Sequence, residues 1–219
     1  DDVVTLFHEF GHGLHHLLTQ VDEPAVAGIN GVPWDAVELP SQFLENWCWE
    51  TEALNKISGH YETGEPLPAE LLERMRGARN FQSAMQMLRQ IEFSAFDMAL
   101  HEAGPTTSTG EIQARLDAVR KDVAVLIPPD FNRFQNSFSH IFAGGYAAGY
   151  YSYKWAEVLS ADAFSRFEDQ GIFDEQSGRD FVENVLASGG VNEPLENFTA
   201  FRGRAPKIDA LLRHSGLDS

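Results

Sequence analysis

The chain is short of cysteine and of positive charge. One cysteine, Cys48, stands among 219 residues, so no disulfide can form within the chain, and its neighbours Trp47 and Trp49 make it a core residue. That usage fits a reducing, cytoplasmic compartment. Lysine and arginine number 16 against 33 aspartate and glutamate, a formal net charge of −17. A surface that acidic repels phosphate backbones and anionic lipid, which argues against nucleic acid and membrane partners. It would attract cationic peptides, and equally it would keep the protein in solution. No apolar run reaches the roughly 18 residues that a bilayer span needs. No basic-then-apolar leader opens the chain, so nothing in it argues for export. Internal repeats and low-complexity tracts are absent too.

What is present is apolar and periodic. Hydrophobic residues make up 43% of the chain, enough to bury a core in one globular domain or in one lobe of something larger. From Asp1 to Gln20, Val3, Val4, Phe7, Phe10, Leu14, Leu17 and Leu18 recur at helical spacing, with acids at the N-terminal end where the helix dipole favours them. Residues 21–37 hold Pro24, Gly28, Gly31 and Pro33, which predicts a loop with at most a small β element. A second helix is predicted from Glu38 to Ile57, with Pro40 tolerated in its first turn. Further helices fit 69–76, 78–103, 110–124, 149–170, 175–187 and 206–214. That over 78–103 should bury Phe81, Met85, Leu88, Ile91, Phe96 and Leu100 before Gly104-Pro105 stops it. The fold class is mostly α.

His8-Glu9-Phe10-Gly11-His12 places two imidazoles one helical turn apart, so both rings can converge on one cation. Glu9 lies beside them, where it can act as general base toward a metal-bound water. Two surface histidines would produce the same short pattern, so a further ligand is needed. A catalytic zinc takes three protein ligands and keeps a fourth position open. Glu38, at the head of the second helix, is the best candidate. Glu45, two turns further along, is open to two roles: orienting one of the histidines, or a plain surface carboxylate. His12 and His16 are also four apart, but Gly13 occupies the base position after His12. His8 and His16 are too far apart along a helix to share an ion, so a solvated or hydrogen-bonded role is favoured for His15 and His16.

HEFGHGLHH over His8–His16 resembles the oligopeptidase A branch of the thimet oligopeptidase family of zinc metallopeptidases. So do Val37-Glu38-Leu39-Pro40-Ser41-Gln42 and Glu45-Asn46-Trp47. Ser139-His140-Ile141-Phe142-Ala143-Gly144-Gly145-Tyr146, Tyr150-Tyr151-Ser152-Tyr153 and Phe201-Arg202-Gly203-Arg204 continue the likeness, in order, over essentially the whole chain. The resemblance implies a zincin-like catalytic lobe of an α-helical metallopeptidase. It implies one zinc ion per chain on His8, His12 and Glu38, with Glu9 as general base. His140, Tyr146 and Tyr153 match positions that contact substrate or stabilise the transition state, and a phenol is a suitable neutral donor to an oxyanion. Gly144, Gly145 and Tyr150 are candidates to contact substrate, although core packing is favoured for Tyr150 and Tyr151. Family members are considerably longer, with two lobes flanking a channel that admits short peptides. The chain opens at Asp1 and Asp2 only seven residues before the zinc motif, so residues 1–219 are expected to be the C-terminal catalytic region of a longer enzyme. The implied activity is endopeptidase cleavage of short unstructured peptides. Its rivals are a metal- and peptide-binding fragment with little or no turnover and, more weakly, an exopeptidase of similar chemistry. Self-association through surface that the rest of the enzyme would cover is a further expectation.

Overall fold

Apolar residues three and four apart produce helices throughout the computed structural model, which describes residues 2–102, 104–105 and 108–217. In order these are α1 (Asp2–Leu17), α2 (Trp34–Val37), α3 (Leu39–Glu45), α4 (Thr51–Ile57), α5 (Ala69–Arg79), α6 (Ser83–Glu102), α7 (Thr109–Val123), α8 (Ser152–Gln170), α9 (Glu175–Phe181), α10 (Pro194–Arg202) and α11 (Asp209–His214). Among the described residues there is no strand. Asp1 and Ala103, assigned to helices above, lie outside the described residues. No described helix is long and apolar enough to cross a membrane. The chain divides into two units, Asp1–Phe81 with Ala156–Ser219, and Gln82–Trp155.

In the first unit, residues 21–37 form no β element. Successive backbone turns close there instead, from Val26 to Glu23, Asn30 to Ala27 and Val32 to Ile29. Gly28 and Gly31 take positive φ of 61° and 73°, a conformation that glycine adopts without steric cost. The single helix predicted over Glu38–Ile57 is three pieces: α3, a 3₁₀ turn over Asn46–Trp49, and α4. Glu50 is extended at φ −92° and ψ 129°, which separates the last two. The reason lies in the core. Phe43 stacks on Phe181 with ring centroids 4.0 Å apart, and Trp47 meets Phe164 and Phe167 edge-on at 4.8 and 5.1 Å. The Trp47 indole N–H also donates to the Ile172 carbonyl at 3.0 Å. Tightening the turn at 46–49 lets Trp47 reach that carbonyl while Phe43 stays in the ring cluster. Burying a large apolar side chain stabilises by about 1.5–3 kcal/mol, more than one helical hydrogen bond contributes. Cys48 is buried as expected, and burial pushes its thiol up to about 11, so it stays protonated.

Helix α10 escaped the periodicity reading, yet its punctuation was present. Pro194 starts it, and Gly203, left-handed at φ 72°, ends it. The turn of π-helix over Val182–Leu186 continues α9 and puts Val185 and Leu186 into the core.

The second unit is built on α6 and α7. Phe96, Leu116, Phe138, Ile141 and Tyr150 form its core, with Phe93, Leu100 and Tyr153 packed against them. The stripe predicted for α6 is partly wrong: Phe81, which precedes the helix, and Ile91 are exposed. The buried face carries Glu92 and Asp97 instead, and pattern reading assigns such residues to solvent. Glu92 is tolerated because Arg120 donates to it at 3.0 Å and Arg89 at 2.6 Å.

Candidate functional site

The close approach of α1 and α3 creates the first cluster. Gly11 makes it possible: a Cβ there would lie 2.5 Å from both Pro40 O and Ser41 Cα. With that contact made, Glu38, the buried residue joining α2 to α3, aims its carboxylate at α1. Glu38 Oε2 lies 3.3 Å from His8 Nε2 and 3.3 Å from His12 Nε2. The donor atoms of His8, His12 and Glu38 all fall within 4.8 Å of one another. The buried hydroxyl of Ser41 donates to Glu38 Oε2 at 3.0 Å and to the Glu38 carbonyl at 2.9 Å, fixing that carboxylate. Sequence reasoning missed Ser41 and Gly11. Ser41, one turn after Glu38 at a helix start, was the available signal.

Glu45 resolves into the orienting role. His8 Nδ1 donates to Glu45 Oε1 at 2.6 Å, which leaves the Nε2 lone pair facing Glu38. Three donor atoms that could hold one metal ion therefore converge. Hydrogen bonding to Glu38, then to Glu45, raises the His8 pKa from 6.5 to about 10 against the opposing effect of burial. The donor set also fits zinc, because a tetrahedral shell at about 2.0–2.2 Å puts neighbouring donors ~3.3 Å apart. Glu9 is exposed on α1, next to His8.

His15 corrects the expectation of a solvated or hydrogen-bonded ring. It is 3% exposed, and neither ring nitrogen has a hydrogen-bond partner. Burial lowers its pKa to about 4, with smaller contributions from His16 and His12. It faces the first unit's interior as the ring one turn beyond Gly11, and so stays a neutral packing residue. His16 is exposed, with its ring against Gly28.

The second unit gathers the aromatic candidates around the Gly144-Gly145 loop. Tyr146 and Tyr153 stack with ring centroids 4.7 Å apart, and His140 meets Tyr153 edge-on at 6.2 Å. Tyr146 N–H donates to the His140 carbonyl at 3.0 Å. Gly144 is tight against that same backbone: an added Cβ would lie 2.9 Å from His140 Cα and O. Tyr150 is buried, and its hydroxyl donates to Gln90 Oε1 at 3.0 Å, which is the packing role favoured for it. Tyr151 departs from that role, being 40% exposed. The turn that sends Tyr150 into the core sends its neighbour outward.

A helix-borne histidine pair one turn apart, completed by a carboxylate from the next helical segment, is a set of side chains that could hold one metal ion. The chain belongs to peptidase family M3, whose profile matches residues 1–217. It is 62% identical to oligopeptidase A of Haemophilus influenzae and 59% identical to that of Salmonella typhimurium, in each case over 99% of this chain and 32% of the relative. It is also 52% identical to the organellar oligopeptidase A of Arabidopsis thaliana, over 99% of the chain and 28% of the relative. The chain thus spans about a third of the length of the relatives it matches.

Proposed function

We propose that residues 1–219 are the C-terminal catalytic region of a zinc-dependent endopeptidase that cleaves short unstructured peptides. The convergence of His8, His12 and Glu38 donor atoms within 4.8 Å, with Glu9 beside His8 in sequence, carries this reading. When bound, one zinc ion per chain would supply Lewis acidity to a carbonyl oxygen and to a water molecule. His8, His12 and Glu38 hold it, while Glu45 and Ser41 keep the His8 ring and the Glu38 carboxylate in their orientations. The Glu9 carboxylate takes a proton from the attacking water and returns it to the leaving amine nitrogen. The family resemblance implies for Tyr153 and Tyr146 a role as neutral hydroxyl donors to an oxyanion, and for His140 contact with substrate. Gly144 and Gly145 remain the loop residues proposed to contact substrate. The acidic surface disfavours nucleic acid and membranes as partners, and the lone reduced cysteine favours the cytoplasm.

The chain's coverage of about a third of its relatives favours one rival, a fragment that binds metal and peptide without turnover. Metal analysis joined to a quenched-peptide assay separates the two. Glu9→Gln should keep one zinc and lose activity by orders of magnitude, because an amide cannot accept the proton. Glu38→Gln should lose the zinc itself. Equal metal loss in both variants would make Glu9 a ligand and sink the assignment. Full zinc occupancy in the unsubstituted chain without cleavage would establish the non-catalytic rival.

A further inference from the structure

Asp97 is a buried carboxylate that neither the metal cluster nor the aromatic candidates account for. It lies on α6, 0% exposed. Its Oδ1 accepts the Ala148 N–H at 2.9 Å and its Oδ2 accepts the Tyr150 N–H at 2.9 Å. His101, one turn along α6, places Nδ1 2.8 Å from Oδ1, and the same nitrogen lies 2.9 Å from the Asp97 carbonyl. Both carboxylate oxygens are therefore engaged, which is what makes a buried carboxyl group tolerable in an apolar core.

The backbone that Asp97 holds is unusual. Ala148 has φ 54°, a left-handed conformation that an alanine does not adopt unaided. That conformation lets two nearby N–H groups face one carboxylate, forming a small anion-binding concavity. The same turn joins the two stacked tyrosines: Tyr146 precedes it, the Gly149 N–H closes back on the Tyr146 carbonyl at 2.9 Å, and the Ser152 N–H closes on Gly149 at 3.0 Å. Tyr153 follows at once, stacked on Tyr146 at 4.7 Å. The carboxylate thus fixes a strained turn whose two ends carry the rings.

We propose that Asp97, braced by His101, is the positioning residue that holds the Ala147–Gly149 turn and so sets the Tyr146–Tyr153 pair in place. Its relevance to turnover rests on the proposed role of those tyrosines, but its structural claim does not. The test is Asp97→Asn in the 219-residue chain, which keeps the size and one acceptor but replaces an acceptor oxygen by an NH₂ group facing a backbone N–H. With tyrosines isotope-labelled, the ring-to-ring nuclear Overhauser effect between Tyr146 and Tyr153 should be lost while zinc content is unchanged. Tyr153→Phe should lower kcat by about 10²-fold with little change in KM, the scale of one oxyanion donor. Asp97→Asn should lower kcat on the same scale, and the double variant should be no slower than Tyr153→Phe alone. A residue that merely stabilises the fold would lower the melting temperature, retain the ring contact and add its effect to that of Tyr153→Phe, and that result overturns the proposal. Should Asp97→Asn not fold, His101→Ala decides, with a weakened ring contact expected and an unchanged one fatal. If the unsubstituted chain shows no turnover, the peptidase reading fails and the ring contact still decides the role of Asp97.

Discussion

His8 has a raised pKa in the metal cluster, and the direction of that shift has a measurable consequence. Its pKa is raised to about 10 by the Glu38 and Glu45 carboxylates. A base whose folded pKa lies above its unfolded value holds an extra proton when folded. The stability from that proton is present in full below about 6.5 and disappears as pH rises through about 10. Zinc needs the unprotonated ring nitrogen, so binding between those limits must expel the proton. Calorimetry of zinc binding at pH 8, repeated in buffers of different ionisation enthalpy, should show release of about one proton from this residue. Affinity should climb with pH through the window and lose that dependence in His8→Ala, where overall binding is weak. Proton release of zero would mean that Glu45 and Glu38 do not hold His8 as described. His15 acts oppositely. Its pKa of about 4 makes the unfolded chain the better proton binder between about 4 and 6.5, so it costs stability as pH falls through that range.

Two glycines of one helix separate contact from propensity at the scale of elements. Both sit in α1, two residues apart. A Cβ on Gly11 would meet the α3 backbone at 2.5 Å, whereas a Cβ on Gly13 would have nothing within 4 Å. Backbone cannot move aside as a side chain can, so Gly11→Ala must push the helices apart. It should cost about 1–3 kcal/mol, as overpacking does, and weaken zinc binding because Glu38 retreats from the two histidines. Gly13→Ala should be neutral or stabilise by up to ~1 kcal/mol, because alanine is the better helix former. Thermal melts and zinc titrations of the two variants make the comparison, and equal behaviour would show that α1 and α3 are not locked at Gly11. The same scale explains why α6 was misread. Helical periodicity was correct there, but Glu92 and Asp97 occupy the buried face because Arg120, Arg89, His101 and two backbone N–H groups meet them.

At the scale of the whole molecule, α1 is apolar on two sides. Phe7 and Leu14 pack on the core of the first unit, while Val3, Leu6, Phe10 and Leu17 are all more than half exposed. An apolar helix face left in water favours association with another apolar surface. In isolation the chain should therefore self-associate, a second copy covering the Leu6–Leu17 face. Sedimentation velocity across a concentration series should show a growing larger species, and Leu6→Glu with Leu17→Glu should abolish it. A single monomeric boundary at every concentration would remove this surface as an interface.

Much of this was legible in the residues alone. The helical class follows from apolar spacing, and the His8–His12 convergence follows from one turn of α-helix, because both depend on contacts within a few residues. Glu38 and Glu45 were nameable as candidates by their places in the second helical segment. Glu38 was read as the third ligand and Glu45 was left open between two roles, while the distances that bring both to the histidines depend on how α3 approaches α1. That approach is set by Gly11 against Pro40 and by the ring cluster of Phe43, Trp47, Phe164 and Phe181, drawn from segments far apart in the chain. The same holds for the burial of His15 and for the carboxylate of Asp97 under the tyrosine turn. Short-range pattern states which face of a helix is apolar. Only tertiary packing decides which polar groups accompany it inward, because burying a charge is tolerable only where distant partners arrive to satisfy it.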